Sequence, residues 1–240
     1  MERLDGRTTL VTGGGGGLGR LVVKRFVEAG ASVHVPVFEG EREALEEVLG
    51  DGIAAVHLRE GVDLTDAVKV AELFGTIEAE AGEGVEILLN LAGGFSAAPI
   101  EETDPGSWQR LIQMNATTVF LCSRAAFGGM RSRGFGRIVN VSALPALEGG
   151  GAGMAAYAAS KAAVLQLTRS LAKEGAALGV TVNAVLPSII DTPGNRAAMP
   201  EADRSRWVPP FRIAEVMHFL ASDAGGIVNG AALPLTLGEP

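Results

Sequence analysis

The stretch TTLVTGGGGGLGRLVVKRF, residues 8–26, decides the fold. Its first five residues are apolar or β-branched, as in a buried strand, and Leu18, Val22 and Phe26 recur at helical spacing. Five glycines lie between, and each costs roughly 0.5–1 kcal/mol relative to alanine, so this backbone is expected to adopt positive φ angles or to lie against a ligand. We predict a strand–turn–helix unit whose amides hold a pyrophosphate at the helix N-terminus.

The turn supplies the first candidate cofactor contacts. They are Gly13, Gly17, Leu18 and Gly19, whose spacing is wider than in the ordinary dinucleotide fingerprint. A flexible linker is the alternative interpretation of a glycine run, but here regular elements flank the run on both sides. The chain has no GK[ST] phosphate loop and no GxSxG nucleophile turn, which disfavours a hydrolase.

Apolar runs alternate with helical patterns along the rest of the chain, which predicts parallel strands joined by crossover helices. The fold class is therefore α/β, a three-layer, doubly wound sheet of seven parallel strands (Rossmann fold) in a single domain over residues 1–240. Strands are expected at 8–12, 32–38, 54–58, 87–90, 137–142, 181–186 and 231–235, and long central helices at 106–131 and 153–178. Residues 187–210 contain five prolines and are predicted to form an irregular loop, a candidate lid.

Composition and charge narrow the function classes. The chain of 240 residues is 47% hydrophobic and has a net charge of −8, so we expect no nucleic-acid partner. Its charged first residues do not resemble a signal peptide, and no apolar stretch is long enough for a membrane span. Cys122 has no disulfide partner, and the three histidines show no metal-ligand spacing. We predict a cytoplasmic protein without a metal site.

Tyr157 and Lys161 form a candidate catalytic pair. They stand four residues apart in a predicted helix, which puts the phenol and the ammonium on one face. A free tyrosine has a pKa near ~10, and a nearby Lys⁺ lowers that pKa by favouring the phenolate. Tyr157 is then a candidate general acid or base. The alternative is a packed tyrosine beside a solvated lysine, and because Tyr157 is the chain's only tyrosine, composition does not decide between them.

Together with the glycine turn, this pair resembles the short-chain dehydrogenase/reductase family, and the resemblance runs over nearly the whole chain. Residues 12–19 are similar to that family's TGxxxGxG, NLAG at 90–93 to its NNAG, and YAASK at 157–161 to its YxxxK. Further positions that match its catalytic or cofactor residues are Asp63, Leu64, Asn90, Ala92, Gly93, Asn115, Pro187 and Thr192.

The resemblance implies a nicotinamide cofactor, NAD or NADP, and hydride transfer between that cofactor and a carbonyl or alcohol substrate. It implies that Tyr157 moves the proton, that Lys161 holds the ribose and lowers the tyrosine pKa, and that Asn115 feeds a proton relay. It also implies a homodimer or homotetramer joined through the long central helices.

The family's catalytic serine is the main departure. Counting along residues 136–144 puts that position at Ala143, with Ser142 one residue earlier and, by strand alternation, on the other face. The count from Ala143 to Tyr157 is one residue longer than in the family, so a bulge that turns Ser142 inward is an alternative, and Ser142 stays a candidate catalytic residue. Loss of such a donor typically costs ~10²–10³ in turnover.

The ribose has no standard partner in this sequence. Val37 stands where NAD-dependent relatives carry Asp, and the basic residues of NADP-dependent relatives are absent. Glu39 lies about twenty residues beyond Gly19 and would repel a 2′-phosphate, which favours NAD. Ser188 replaces a glycine whose backbone approaches the nicotinamide in the family. These departures leave a second interpretation beside the oxidoreductase: a nucleotide-binding or assembly protein with weak or no dehydrogenase activity.

Overall fold

Seven parallel strands form one sheet in the computed structural model, which describes residues 2–238. Their order is β3-β2-β1-β4-β5-β6-β7, and every neighbouring pair is parallel. The strands are β1 (Thr8–Thr12), β2 (Ser32–Val37), β3 (Val56–Glu60), β4 (Ile87–Asn90), β5 (Gly136–Val141), β6 (Val180–Pro187) and β7 (Ala232–Leu235). The predicted α/β fold class and its seven strands are confirmed. The strands could be predicted because buried parallel strands appear in a sequence as continuous apolar runs.

Helices cover both faces of the sheet and complete the three layers. They are α1 (Gly19–Glu28), α2 (Glu41–Leu49), α3 (Ala67–Ala81), α4 (Pro105–Leu111), α5 (Thr118–Arg133), α6 (Pro145–Glu148), α7 (Ala155–Gly175), α8 (Pro193–Ala198) and α9 (Pro210–Ala221). Phe26 of α1 and Met217 of α9 pack in one apolar cluster with strand valines, and Ile77 of α3 and Met130 of α5 pack in another. Within residues 2–238, no helix combines the length and hydropathy that crossing a bilayer requires.

The helix predicted over residues 106–131 is interrupted in its middle. A π-helical turn, Ile112–Thr117, separates α4 from α5. Asn115 lies in this turn and is fully buried. Such turns are frequent at functional sites, and this one sets the position of a predicted catalytic residue.

Residues 187–210 are more ordered than their prolines predicted. The segment contains α8, and Ile190 and Val208 pair in an isolated parallel bridge. Pro193 and Pro210 are the first residues of α8 and α9. Proline suits the first helical position, because its missing N–H has no intrahelical partner there. Two of the five prolines therefore start helices. Apart from α8 and the Ile190–Val208 bridge, the residues between β6 and α9 form no regular element.

Candidate active site

The candidate site lies where the strand order reverses. β1 and β4 are neighbours in the sheet although β2 and β3 separate them in the chain, and such a switch point opens a crevice at the carboxyl ends of the strands. A Cβ on Gly13 (φ +65°) would lie 2.8 Å from the Ala92 amide nitrogen. A Cβ on Gly19 would overlap the Gly13 carbonyl oxygen. Close backbone approach therefore requires glycine at both positions.

A cavity of about 410 Å³ occupies this crevice. The predicted cofactor residues that line it are Gly13, Gly17, Leu18, Gly19, Asp63, Leu64, Ala92 and Gly93. Two other lining residues, Gly16 and Leu91, lie inside the motifs quoted above. Sequence reasoning did not single out the rest, which are Pro36, Phe38, Glu41, Thr65, Met114 and Thr118. The glycine turn and the segments after β2, β3 and β4 thus share one cavity.

The glycine turn presents unpaired amides at the N-terminus of α1. Among residues 2–238, the backbone N–H groups of Gly17, Leu18 and Gly19 donate to no acceptor, whereas the Gly16 N–H donates to the Gly13 carbonyl at 3.2 Å. Free amides and the helix dipole together favour a bound anion. The residues present therefore fit the pyrophosphate of a dinucleotide.

The glutamate that lines this cavity is Glu41, not Glu39. Glu41 Oε2 accepts a 2.8 Å hydrogen bond from the Phe38 amide, and a Cβ on Gly15 would overlap the Glu41 side chain. Glu39 is exposed and does not line the cavity, which corrects the expectation that Glu39 faces the ribose. Glu41 is the first residue of α2, and its carboxylate reaches back three residues to the Phe38 amide, which follows β2.

Phe38 and Asp63 lie on the same rim of the cavity. The Phe38 side chain is 63% exposed, and a single aromatic residue after a strand carries no signal that sequence reasoning can use. Asp63 Oδ1 accepts hydrogen bonds from the Thr65 hydroxyl (2.7 Å) and amide (2.8 Å), which hold the pKa of Asp63 below its ordinary value. An ionised acceptor and an open aromatic face suit a purine base.

Lys161 and Asn115 converge on Gly93, one of the cavity-lining residues. A Cβ on Gly93 would overlap Asn115 Oδ1 and lie 3.3 Å from Lys161 Nζ. Asn115 is held in place from two sides: its Oδ1 accepts from the Gly94 amide at 2.9 Å, and its Nδ2 donates to Ser160 Oγ at 2.9 Å. Residues far apart in sequence therefore meet at the edge of the nucleotide cavity.

Tyr157 lies in the first turns of α7, one turn before Lys161. Its ring meets the Phe95 ring edge-on, with centroids 4.9 Å apart. Burial raises the pKa of Tyr157 to about 12 and lowers the pKa of Lys161 to about 8. Burial therefore outweighs any lowering of the tyrosine pKa by Lys161 in this structure. Lys161 Nζ donates instead to the Val141 carbonyl at 3.0 Å, and desolvation dominates both groups.

Ser142 does not occupy a bulge. Its amide donates to the Val185 carbonyl at 3.0 Å, which continues the regular pairing of β5 with β6, and its buried hydroxyl donates to the Lys161 carbonyl at 2.8 Å. Ala143, only 5% exposed, follows with a methyl group. The Ser142 proton thus supports the backbone of α7.

Asn90 lies in the interior and not among the residues that line the cavity. Its Nδ2 donates to Asn140 Oδ1 at 2.8 Å, and Asn140 Nδ2 donates to Thr168 Oγ1 at 2.8 Å. All three side chains are fully or almost fully buried. Asn90 therefore links β4, β5 and α7 beneath the site.

Thr192 and Pro187, two further predicted cofactor residues, belong to the second half of the chain. A Cβ on Gly17 would lie 2.9 Å from Thr192 Cβ, so Thr192 packs over the glycine turn. The Pro187 carbonyl accepts from the Leu144 amide at 3.2 Å, which keeps the ends of β5 and β6 side by side. Thr192 thus lies beside a cavity-lining residue, whereas Pro187 is not among the residues that line the cavity.

A cluster that the sequence did not predict lies on the outer strands. His34, His57 and Glu80 come within 4.8 Å of one another, although the histidines looked scattered along the chain. The two imidazoles stack, with centroids 4.4 Å apart, because they are register partners on β2 and β3. The Arg59 guanidinium donates to His34 Nδ1 at 2.9 Å and pairs with Glu80, so a side-chain cation already bridges this cluster.

Free amides beside a cavity at the switch point are how a doubly wound sheet holds a dinucleotide. Tyr157 lies one helical turn before Lys161, whose Nζ reaches the cavity-lining residue Gly93. Fold and site therefore define a class, the oxidoreductases that use a nicotinamide nucleotide.

Comparison with known proteins gives the family. The family model described as short chain dehydrogenase matches residues 7–203. The chain is 36% identical to cis-4-hydroxycyclohexanecarboxylate dehydrogenase of Sinomonas cyclohexanicum, covering 97% of this chain and 96% of that protein. It is 33% identical to an acetoacetyl-CoA reductase of Shinella zoogloeoides, covering 97% and 98%. A solved structure of a short chain dehydrogenase/reductase family protein superposes with a TM-score of 0.86 at 34% identity, covering 98% and 97%. The chain belongs to the short-chain dehydrogenase/reductase family.

Proposed function

We propose that this chain is an NAD-dependent dehydrogenase that interconverts a small secondary alcohol and its ketone, with Tyr157 as general acid and base. The observation that supports this most is the meeting of Lys161 and Asn115 at Gly93, on the wall of the nucleotide cavity. The Tyr157 phenol lies four residues before Lys161 in α7, on the same helix face. A proton carrier and a nucleotide site thus share one crevice.

The chain's own residues would hold the nucleotide along the cavity. The free amides at 17–19 suit the pyrophosphate, Phe38 and Asp63 the adenine, and Glu41 the adenosine ribose. When bound, the nicotinamide supplies or accepts the hydride. NAD is favoured over NADP, because the Glu41 carboxylate accepts hydrogen bonds from ribose hydroxyls but repels a 2′-phosphate.

Tyr157 holds the proton that the reaction moves. With its pKa at about 12, the phenol is protonated at neutral pH and ready to donate to the carbonyl oxygen in reduction. Lys161, whose pKa is about 8, is mostly charged at that pH and stabilises the phenolate left behind. Ser160 donates to the Tyr157 carbonyl at 2.7 Å and accepts from Asn115, so Asn115 fixes the turn of α7 that carries the phenol.

The testing experiment separates binding from turnover. NADH and NADPH are titrated by fluorescence, and turnover is measured with cis-4-hydroxycyclohexanecarboxylate plus NAD and with acetoacetyl-CoA plus NADH, the compounds named for the two relatives. We expect NADH to bind, at least one probe to turn over, and Tyr157→Phe to abolish turnover with NADH affinity retained. No cofactor binding at millimolar concentration would overturn the proposal.

A second candidate function is nucleotide binding with weak or no dehydrogenase activity. The hydrogen bond from the Ser142 hydroxyl to the Lys161 carbonyl favours this second function. With that hydroxyl engaged and a methyl group on Ala143, neither residue offers the substrate oxygen a hydrogen-bond donor. Tight NADH binding without turnover of any probe, in wild type and in Ala143→Ser alike, would support this second function over the first.

We also propose a homo-oligomer joined through the central helices. Trp108 on α4 and Phe120 on α5 are 43% and 48% exposed, so both helices present a large apolar side chain to the outside. Closed two-fold symmetry is the common way to cover such a surface.

A further inference from the structure

The reduction of a ketone is faster when more than one hydrogen-bond donor reaches the substrate oxygen. As hydride reaches the carbonyl carbon, the π electron pair moves to oxygen, and Tyr157 supplies one proton. A carbonyl oxygen has two lone pairs, and a second donor aimed at the developing charge is typically worth ~10²–10³ in turnover. Neither Ala143 nor Ser142 supplies it, because the first has a methyl group and the second donates to the Lys161 carbonyl.

Contacts between the sheet and α7 show which residues of β5 and β6 face the helix that carries Tyr157. On β5, Asn140 bonds Thr168 and Ser142 bonds Lys161, so moving toward the carboxyl end of the strand means moving toward the N-terminus of α7. On β6, Ala184 and Leu186 pack with Leu165 of α7. These even-numbered residues of both strands therefore face the helix that carries Tyr157.

Ser188 is the next residue of that face on β6. Its amide donates to the Leu235 carbonyl at 3.0 Å, so pairing with β7 continues through it and the alternation of the strand still applies. Two residues beyond Leu186, Ser188 advances along α7 from Leu165 toward Lys161 and Tyr157. The Leu144 amide bonds the Pro187 carbonyl, which keeps Ser188 beside the stretch where Ala143 lies.

The Ser188 hydroxyl is available. Among residues 2–238 its oxygen takes part in no hydrogen bond, and the residue is half-buried. Two other hydroxyls near the crevice are in use: Ser160 donates to the Tyr157 carbonyl, and Thr192 accepts from the Asn195 amide on the phosphate side.

We infer that Ser188 supplies the second donor to the substrate oxygen, from β6 instead of β5. Its hydroxyl donates a hydrogen bond and keeps its proton, while Tyr157 transfers one. This assignment rests on the proposed dehydrogenase function, and it gives Ser188 a role that glycine at this position does not offer.

The test is Ser188→Ala, measured with the two probes and by NADH titration. We expect kcat to fall by roughly 10²-fold while the NADH dissociation constant stays within twofold. Ser132→Ala, an exposed serine on α5, is the matched control and should leave kcat unchanged.

Two results would overturn the assignment. Ser188→Ala with kcat within threefold of wild type means that the hydroxyl makes no bond in the transition state. Ser188→Gly faster than wild type means that the side chain only crowds the nicotinamide site. If wild type itself turns over neither probe, the dehydrogenase proposal fails and the role of Ser188 with it; if wild type is active and Ser188→Ala matches it, only the role of Ser188 fails.

Discussion

The Gly13→Ala substitution tests whether position 13 requires glycine because its backbone lies close to that of Ala92. The left-handed φ of +65° costs a non-glycine residue roughly 1–2 kcal/mol. The new Cβ would also lie 2.8 Å from the Ala92 amide nitrogen, and relieving such an overlap adds about 1–3 kcal/mol. The segment after β4 would have to move, and that movement widens the cavity where the nucleotide fits.

Gly134→Ala is the matched control for backbone strain. Gly134 has a φ of +70°, and a Cβ there would have no atom within 4 Å. Both substitutions restrict the unfolded chain equally, so the difference between them isolates the contact with Ala92. We expect Gly13→Ala to lose about 2 kcal/mol more than Gly134→Ala.

Thermal unfolding and NADH titration measure the two consequences. A difference of about 2 kcal/mol corresponds to roughly 4–8 °C in Tm for a chain of this size. We expect NADH affinity to fall at least tenfold in Gly13→Ala and to stay unchanged in Gly134→Ala. Equal Tm values for the two variants, or wild-type NADH binding by Gly13→Ala, would refute the reasoning.

Four further outcomes follow from the structure. Glu41→Gln should narrow the preference for NADH over NADPH in fluorescence titrations, and an unchanged ratio would contradict the role of that carboxylate. Lys161→Met should raise stability at pH 7 by roughly 2 kcal/mol, about 3 from removing a buried amine with a pKa of about 8 less about 1 for the bond to Val141. Between pH 8 and 10.5 the unfolded lysine binds more protons than the folded one, so wild-type stability rises over that window. Urea titrations should therefore show the difference in free energy of unfolding between Lys161→Met and wild type becoming smaller. His34, whose pKa burial lowers to about 4, binds its proton more weakly when folded, so stability should fall by about 2 kcal/mol from pH 7 to pH 5 and His34→Gln should flatten that slope in urea melts. Phe120→Glu should shift the mass measured by light scattering toward the monomer; an unchanged mass would remove this face from the interface.

The strands were predictable because strands that are buried on both faces consist of continuous apolar or β-branched residues. Residues 87–90 and 8–12 are apolar or β-branched throughout, and the structure has strands with those bounds. Alternation also predicted that Ser142 and Ala143 face opposite ways, and Ser142 does bond the helix behind it. The place of the glycine run between the first strand and the first helix indicated that this turn lies at the switch point of the sheet.

Other features depended on contacts between distant segments. The π turn that positions Asn115 could not be predicted from the sequence. The spacing of apolar residues that indicates a helix does not reveal that one turn contains an extra residue. The choice of Glu41 over Glu39 depended on where α2 begins. The clustering of His34 with His57 depended on the register of β2 against β3.

The amino-acid sequence alone determined the family, the sheet and the position of the glycine turn, since these follow from local patterns of apolar residues, glycine and helix spacing. Only the tertiary structure decided the electrostatics of the site. Tyr157 and Lys161 are four residues apart in any helix, but whether ammonium or burial governs their pKa values depends on which distant atoms surround them. Here the Val141 carbonyl binds the ammonium, and desolvation moves the two pKa values in opposite directions.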